Sequence, residues 1–272
     1  MDWNRVSVIC FAASYGVAWL AEVLRLWKPD WKPLRLVMLG FTAAGLVAHT
    51  AYLATRWAPI GGEGRSLMWL AWIVAFLGLY GAVHYRRIAW ALFVLPVVLG
   101  LITLGSSLAG KQGLPSLVGP MDTWLITAHV ALLILGGVGV CVSFIAGVMY
   151  LVQSWRLRHK QALGNGLRLL SLERLEAMIR HGVAWAFPLW TAGVVMGLIM
   201  LWPRQEWSWF DPKVLSGALL VVVFALLLDL RYRQHERGRR FAWGAILAFV
   251  LLLLALSIET FAPSWHRFGG GS

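Results

Sequence analysis

Two groups of residues in this chain are equipped for chemistry: three histidines in or beside apolar runs, and one loop crowded with tryptophan. The sequence holds seven histidines. His84, His159, His181 and His235 lie close to Arg or Lys in polar stretches and read as ordinary basic-loop residues. His49 and His129 instead sit inside long apolar runs, and His266 follows the last of them. Imidazole in apolar surroundings favours its neutral form, which is the form that coordinates metal. Polar groups at membrane depth are expensive to keep and tend to mark function. Taken singly, each histidine is equally suited to hydrogen-bonding a neighbouring helix. The spacings do not match H-E-x-x-H, and no thiolate cluster accompanies them.

The tryptophans carry the second signal. There are 17. Trp57, Trp69 and Trp124 fit an interfacial aromatic belt. The stretch from Trp202 to Lys213 is denser, with Trp202, Trp207, Trp209 and Phe210 beside Arg204, Asp211 and Lys213. Such a loop offers a flat aromatic platform edged with cations. It suits a planar hydrophobic ligand that carries carboxylates, with rings against indoles and carboxylates toward Arg204 or Lys213. Arg56 shares a helical face with His49 and Tyr52 (spacing i, i+3, i+7) and adds another cation.

The elements that must position these groups are set by composition. Hydrophobic residues make up 60% of the chain and charged residues 13%, against roughly 25% charged in a soluble domain. Mean hydropathy is +0.71. A hydrocarbon core of about 30 Å needs about 20 apolar residues per helix. Eight segments qualify: 6–24, 35–54, 66–83, 88–109, 122–153, 182–202, 214–230 and 241–261. The fold expected is therefore all-α, a polytopic bundle of about eight transmembrane helices forming one membrane-embedded domain over residues 1–268. A retained first helix fits better than a cleaved signal peptide. The fifth segment is too long for a simple span and should tilt or project. Between the fifth and sixth, Leu172, Leu175 and Ile179 recur at helical spacing, which predicts a short amphipathic helix on the membrane surface. The terminal Gly269-Gly270-Gly271-Ser272 reads as a linker remnant. Gly136, Gly137, Gly139, Gly193 and Gly197 are expected to let helices approach closely. Cys10 and Cys141 form no C-x-x-C pair and read as buried small apolar residues.

Charge gives the orientation. Of the 24 Lys and Arg, 17 fall in the first, third, fifth and seventh loops. Positive residues favour the cytoplasmic side, so both termini and the even loops are expected outside. His49, His129, His266 and the tryptophan loop then share the outer third of the bundle. The net charge of +12 follows from this lipid orientation, and nucleic acid is not an expected partner. Glu22 is expected to pair with Arg25.

Trp207-Ser208-Trp209-Phe210-Asp211-Pro212-Lys213 resembles the tryptophan-rich W-x-W-D-P-K signature of the cytochrome c assembly proteins, the CcsA/CcmC-like haem-handling membrane family. The run from Leu172 through Glu176, His181-Gly182 and Phe187-Pro188 to Gly193 and Gly197 resembles the helix before that signature. Trp124 with His129, and Trp265-His266-Arg267-Phe268, resemble the two histidine segments that flank it. The likeness is densest over residues 122–268, and the size suits the short HemX/YpjD-like branch. It departs at Phe210, which separates Trp209 from Asp211, and at Leu228-Asp229-Leu230, where larger members carry a second intramembrane histidine.

By resemblance, haem is the implied cofactor. His129 and His266 become candidate axial ligands, and His49 a candidate intramembrane ligand. Trp207, Trp209 and Asp211 become platform residues, with Arg56 and Lys213 available to carboxylates. The implied role is haem binding in cytochrome c assembly or haem export, at the outer face of a bacterial inner membrane. The partners are then the lipid bilayer and an assembly protein with a large outer domain, or a transporter. The chain reads as a delivery or assembly factor rather than an enzyme in its own right. No G-x-S-x-G, Walker loop or paired-carboxylate motif points to hydrolysis. The alternatives are an accessory membrane subunit that keeps the fold without haem and, further off, an ion or solute transporter.

Overall fold

The computed structural model describes residues 7–28, 31–55, 63–86, 88–108, 120–159, 168–201, 210–232 and 238–257. These form eight helices: α1 (Val8–Trp27), α2 (Lys32–Thr55), α3 (Glu63–His84), α4 (Trp90–Leu108), α5 (Pro120–Arg158), α6 (Leu172–Leu201), α7 (Pro212–Tyr232) and α8 (Arg239–Ser257). Each is long and apolar enough to cross a membrane, and no strand occurs among the described residues. The expected all-α polytopic bundle is what the chain forms.

The helices pack as two four-helix rings. In the first, α1 meets α2, α2 meets α3, α3 meets α4, and α4 closes back onto α1; α5 to α8 repeat the pattern. The rings join where α3 and α4 lie against α5. Consecutive crossings alternate in direction, so loops 2, 4 and 6 fall on one side of the bundle and loops 1, 3, 5 and 7 on the other. We refer to these as the even-loop and odd-loop sides.

An apolar solvent leaves backbone polar groups nowhere to go, and several contacts follow from that rule. Pro96 lies inside α4 and has no N–H, which strips the carbonyl of Leu92 of its helical donor. The indole N–H of Trp19 donates to that carbonyl at 3.2 Å, tying α1 to α4. On the odd-loop side, the guanidinium of Arg35 donates to the carbonyls of Ala82 and Arg86 at 3.3 and 3.4 Å, capping the C-terminal end of α3. Glu22 is buried beside it, with Arg25 Nη1 at 3.0 Å, an ion pair rather than an aligned hydrogen bond. The expected Glu22–Arg25 pairing is present.

Small residues bring α5 and α6 into backbone contact. A Cβ on Gly139 would lie 2.6 Å from the carbonyl of Gly182, and one on Gly136 would lie 3.2 Å from the amide of Trp190. The Ser143 hydroxyl donates to the carbonyl of Gly139 in its own helix at 2.8 Å and to that of Ile179 across the seam at 3.1 Å. Gly137 points the other way, toward Leu70 of α3 and Leu252 of α8.

Two expectations change. Residues 172–181 do not form a separate surface helix but the first turns of α6, which starts at Leu172. Leu175 and Ile179 are completely buried. Their apolar stripe is covered by protein, because α5 runs 39 residues, about 58 Å at 1.5 Å per residue, and supplies a wall well past a single span. Cys141 is buried as expected, whereas Cys10 is exposed on the flank of α1.

Candidate functional site

The residues singled out in the sequence fall into three places. Trp207, Trp209, His266 and Arg56 lie outside the described residues. His49 belongs to the first ring, and His129, Asp211 and Lys213 belong to the second.

His49 lies six residues before the end of α2, on the even-loop side. It is completely buried. Phe11 of α1 stacks on its ring at a centroid distance of 4.2 Å and an interplanar angle of 6°. Tyr15, one turn along α1, meets it edge-on at 6.3 Å. Tyr15 in turn packs over Gly45, where an added Cβ would come within 2.9 Å of Cε1. Neither nitrogen of His49 has a hydrogen-bond partner among the described residues, and neither has the Tyr15 hydroxyl. Buried polar atoms in native structures are nearly always paired. Tyr52 faces α1 as well, at 5.4 Å from Phe11, which fits the shared face expected for His49 and Tyr52. A shallow groove of about 350 Å³ lined by Val47, Thr50, Ala51, Ala54 and Thr55 lies on the opposite side of the same turns, so His49 does not open onto it.

His129 is held differently. It lies ten positions into α5 counted from Pro120, on the same even-loop side. Its Nδ1 is 2.7 Å from the carbonyl oxygen of Gly193 on α6. A carbonyl can only accept, so Nδ1 carries a proton, and in the neutral ring Nε2 is the nitrogen that keeps its lone pair. A Cβ on Gly197 would lie 2.8 Å from Cε1 of the imidazole, so the ring rests against the bare Cα of that residue. Lys213, at the start of α7, is within electrostatic reach of the imidazole.

Asp211 has a role that its reading as a platform residue missed. Its Oδ1 accepts the backbone N–H of Lys213 at 2.8 Å, and its own carbonyl accepts from Leu215 at 3.0 Å. The side chain is 3% exposed. Asp at the N-cap followed by Pro at the first helical position is a strong helix start, and α7 begins there. The Asp-Pro pair announces this in the sequence. Phe210 just before it is 83% exposed.

His49 and His129 are not in contact. One belongs to the α1–α2 seam and the other to the α5–α6 seam, with α3 packed between α2 and α5. No group of three His, Cys, Asp or Glu able to hold a bare metal ion occurs among the described residues. Among the described residues, the donor at the α5–α6 seam is one imidazole whose Nδ1 is held by a backbone carbonyl, an arrangement that orients the other nitrogen toward a ligand.

Comparison with known proteins identifies the family. The cytochrome C assembly protein family matches residues 63–266, reaching two helices further back than the stretch where the motif likeness is densest. The chain is 24% identical to cytochrome c biogenesis protein CcsA of Guillardia theta, over 98% of this chain and 95% of the relative. It is also 24% identical to the protein of that name from Gloeobacter violaceus, over 85% of each. It is 28% identical to protein HemX of Brevibacillus brevis, over 74% of this chain and 75% of the relative. No solved structure matches. With His129, the Asp211–Lys213 helix start and the glycine-lined α5–α6 seam all inside the matched region, the chain is a member of the cytochrome c assembly protein family.

Proposed function

We propose that this membrane protein binds haem and presents it at the even-loop face for cytochrome c assembly or haem handling. The observation that carries the reading is the hydrogen bond from His129 Nδ1 to Gly193 O. It reserves Nε2 of a membrane-embedded imidazole for a ligand, inside the region shared with a cytochrome c assembly family. Haem supplies an iron that accepts an imidazole lone pair, a planar ring that packs on indoles, and two propionates that seek cations. His129 is the candidate axial ligand, with His266 as its candidate counterpart. Trp207 and Trp209 are the proposed platform, with Lys213 and Arg56 directed to the propionates. His49, buried and without a polar partner, is the proposed intramembrane ligand.

The Lys and Arg bias toward the odd loops supports an outward-facing site in a bacterial inner membrane. The segments between successive helices are short, so attachment of haem to a protein is assigned to a membrane-bound partner with its own outer domain.

Purified protein supplied with haem is expected to show a Soret band that the paired variant His129→Ala/His266→Ala lacks. A colourless wild-type protein, or a band unchanged in the variant, overturns the reading. One observation favours a second reading, an accessory subunit of the same fold without haem. Asp211, the acid of the signature, is engaged as the cap of α7, which accounts for its presence without a ligand. That reading predicts colourless protein that co-purifies with a membrane partner, including a transporter.

A further inference from the structure

We propose that Gly193 and Gly197 of α6 form a seat that sets the tautomer and direction of His129, making Gly197 a positioning residue for the site. The proposal rests on the haem reading for what the ring is presented to, and on geometry alone for how it is presented. The two glycines are four positions apart, so they stack on one face of α6. Gly193 O has two lone pairs, and a continuous α-helix uses one of them for the amide of residue 197. The other is open to a neighbour only if nothing covers it. A Cβ leans toward the N-terminus of its own helix, so any side chain at 197 would lean over the turn that holds Gly193. Glycine at 197 leaves that approach clear, and the imidazole of His129 fills it.

The fit is tight against α6. A Cβ at 197 would stand 2.8 Å from Cε1, 3.2 Å from Nδ1 and 3.6 Å from Nε2 of the imidazole. Across the same seam, Leu133, one turn along α5 from His129, packs against Gly193, where an added Cβ would meet its Cδ2 at 2.6 Å. The ring is confined between α5 and α6 with its Nδ1–H on Gly193 O at 2.7 Å. A histidine hydrogen-bonded to a backbone carbonyl through one nitrogen is the usual way a protein fixes the other as a metal ligand and raises its basicity. The same two glycines therefore serve packing and ligand orientation together.

The test uses full-length protein in bilayers with ¹⁵N-labelled histidine. The His129 resonances are identified by their loss in His129→Gln. In the haem-free wild type, His129 is expected to show a protonated Nδ1 and an unprotonated Nε2. In Gly197→Ala the ring is displaced and the Nε2–H tautomer gains population. The bulk added is met by a side chain that can rotate, so the fold is retained. Gly100→Ala, where an added Cβ meets nothing within 4 Å, leaves the His129 pattern unchanged. With haem supplied, Gly197→Ala lowers affinity by about 10- to 100-fold, the range for loss of a group that orients a metal ligand. A wild-type His129 protonated on Nε2, or a Gly197→Ala spectrum identical to wild type, overturns the seat. Wild-type protein that takes up no haem yet shows the Nδ1–H pattern, lost in Gly197→Ala, overturns the haem reading and leaves the seat standing.

Discussion

The two four-helix rings each hold a histidine toward the even-loop side, and they treat it in opposite ways. In α1–α2, His49 is enclosed by aromatic faces, stacked on Phe11 and edged by Tyr15, with no polar partner for either nitrogen. In α5–α6, His129 is clasped by a backbone carbonyl and laid on a glycine. Depth in the bundle is thus a poor guide to chemical readiness. A backbone carbonyl on one nitrogen fixes which nitrogen of the ring faces a ligand, and among the described residues that arrangement is found at His129 and not at His49.

The comparison can be broken most directly at the histidines. His129→Ala is expected to abolish or nearly abolish haem uptake at the proposed site, whereas His49→Ala leaves that uptake largely intact; equal losses in an absorption titration would erase the distinction. Next comes the packing of the first ring. Gly45→Ala drives a Cβ to 2.9 Å from Tyr15 and 3.2 Å from Ser14. It should destabilise the α1–α2 pair by about 1–3 kcal/mol, measured by denaturant titration in detergent. His49→Phe sharpens the contrast. It exchanges two unpartnered nitrogens for apolar atoms of similar shape, so it is expected to hold or raise stability by about 1–2 kcal/mol. A clear loss instead would mean that His49 holds something polar in the working protein. The smallest effect is at Asp211. Asp211→Ala removes the cap of α7 and should cost about 1 kcal/mol, with haem affinity little changed. A drop in affinity without loss of stability would return Asp211 to the ligand site.

Much of this architecture was legible in the chain because the physics of a bilayer is blunt. Apolar runs of about 20 residues have few alternatives to a spanning helix, and the eight expected spans are found within a few residues except at α6. There the error is instructive. Leu172, Leu175 and Ile179 repeat at helical spacing whether lipid or protein covers them, and nothing local says that α5 extends far enough to do so. The site was legible as residue types and less so as partners. His129 and His49 stand out as histidines in apolar runs, but the partner of His129 is a carbonyl 64 residues away, and carbonyls leave no mark on a sequence. Gly193 and Gly197 were read as packing alone. Phe11 and Tyr15 lie one turn apart on α1, but aromatic residues in an apolar run do not say which helix their face will meet. Asp211 before Pro212 is a plain helix start, outweighed in the reading by the signature around it.

The contact between Trp19 and Leu92 O has a consequence for how the first ring tolerates change. Pro96 leaves an acceptor bare in one helix, and the donor that covers it grows from another, 73 positions earlier. Neither residue is self-sufficient. A chimera that imports α4 with its proline into a scaffold lacking the indole would strand a carbonyl in hydrocarbon. One that keeps the indole but straightens α4 would strand an N–H. The two helices are a matched set, exchangeable between relatives only as a pair.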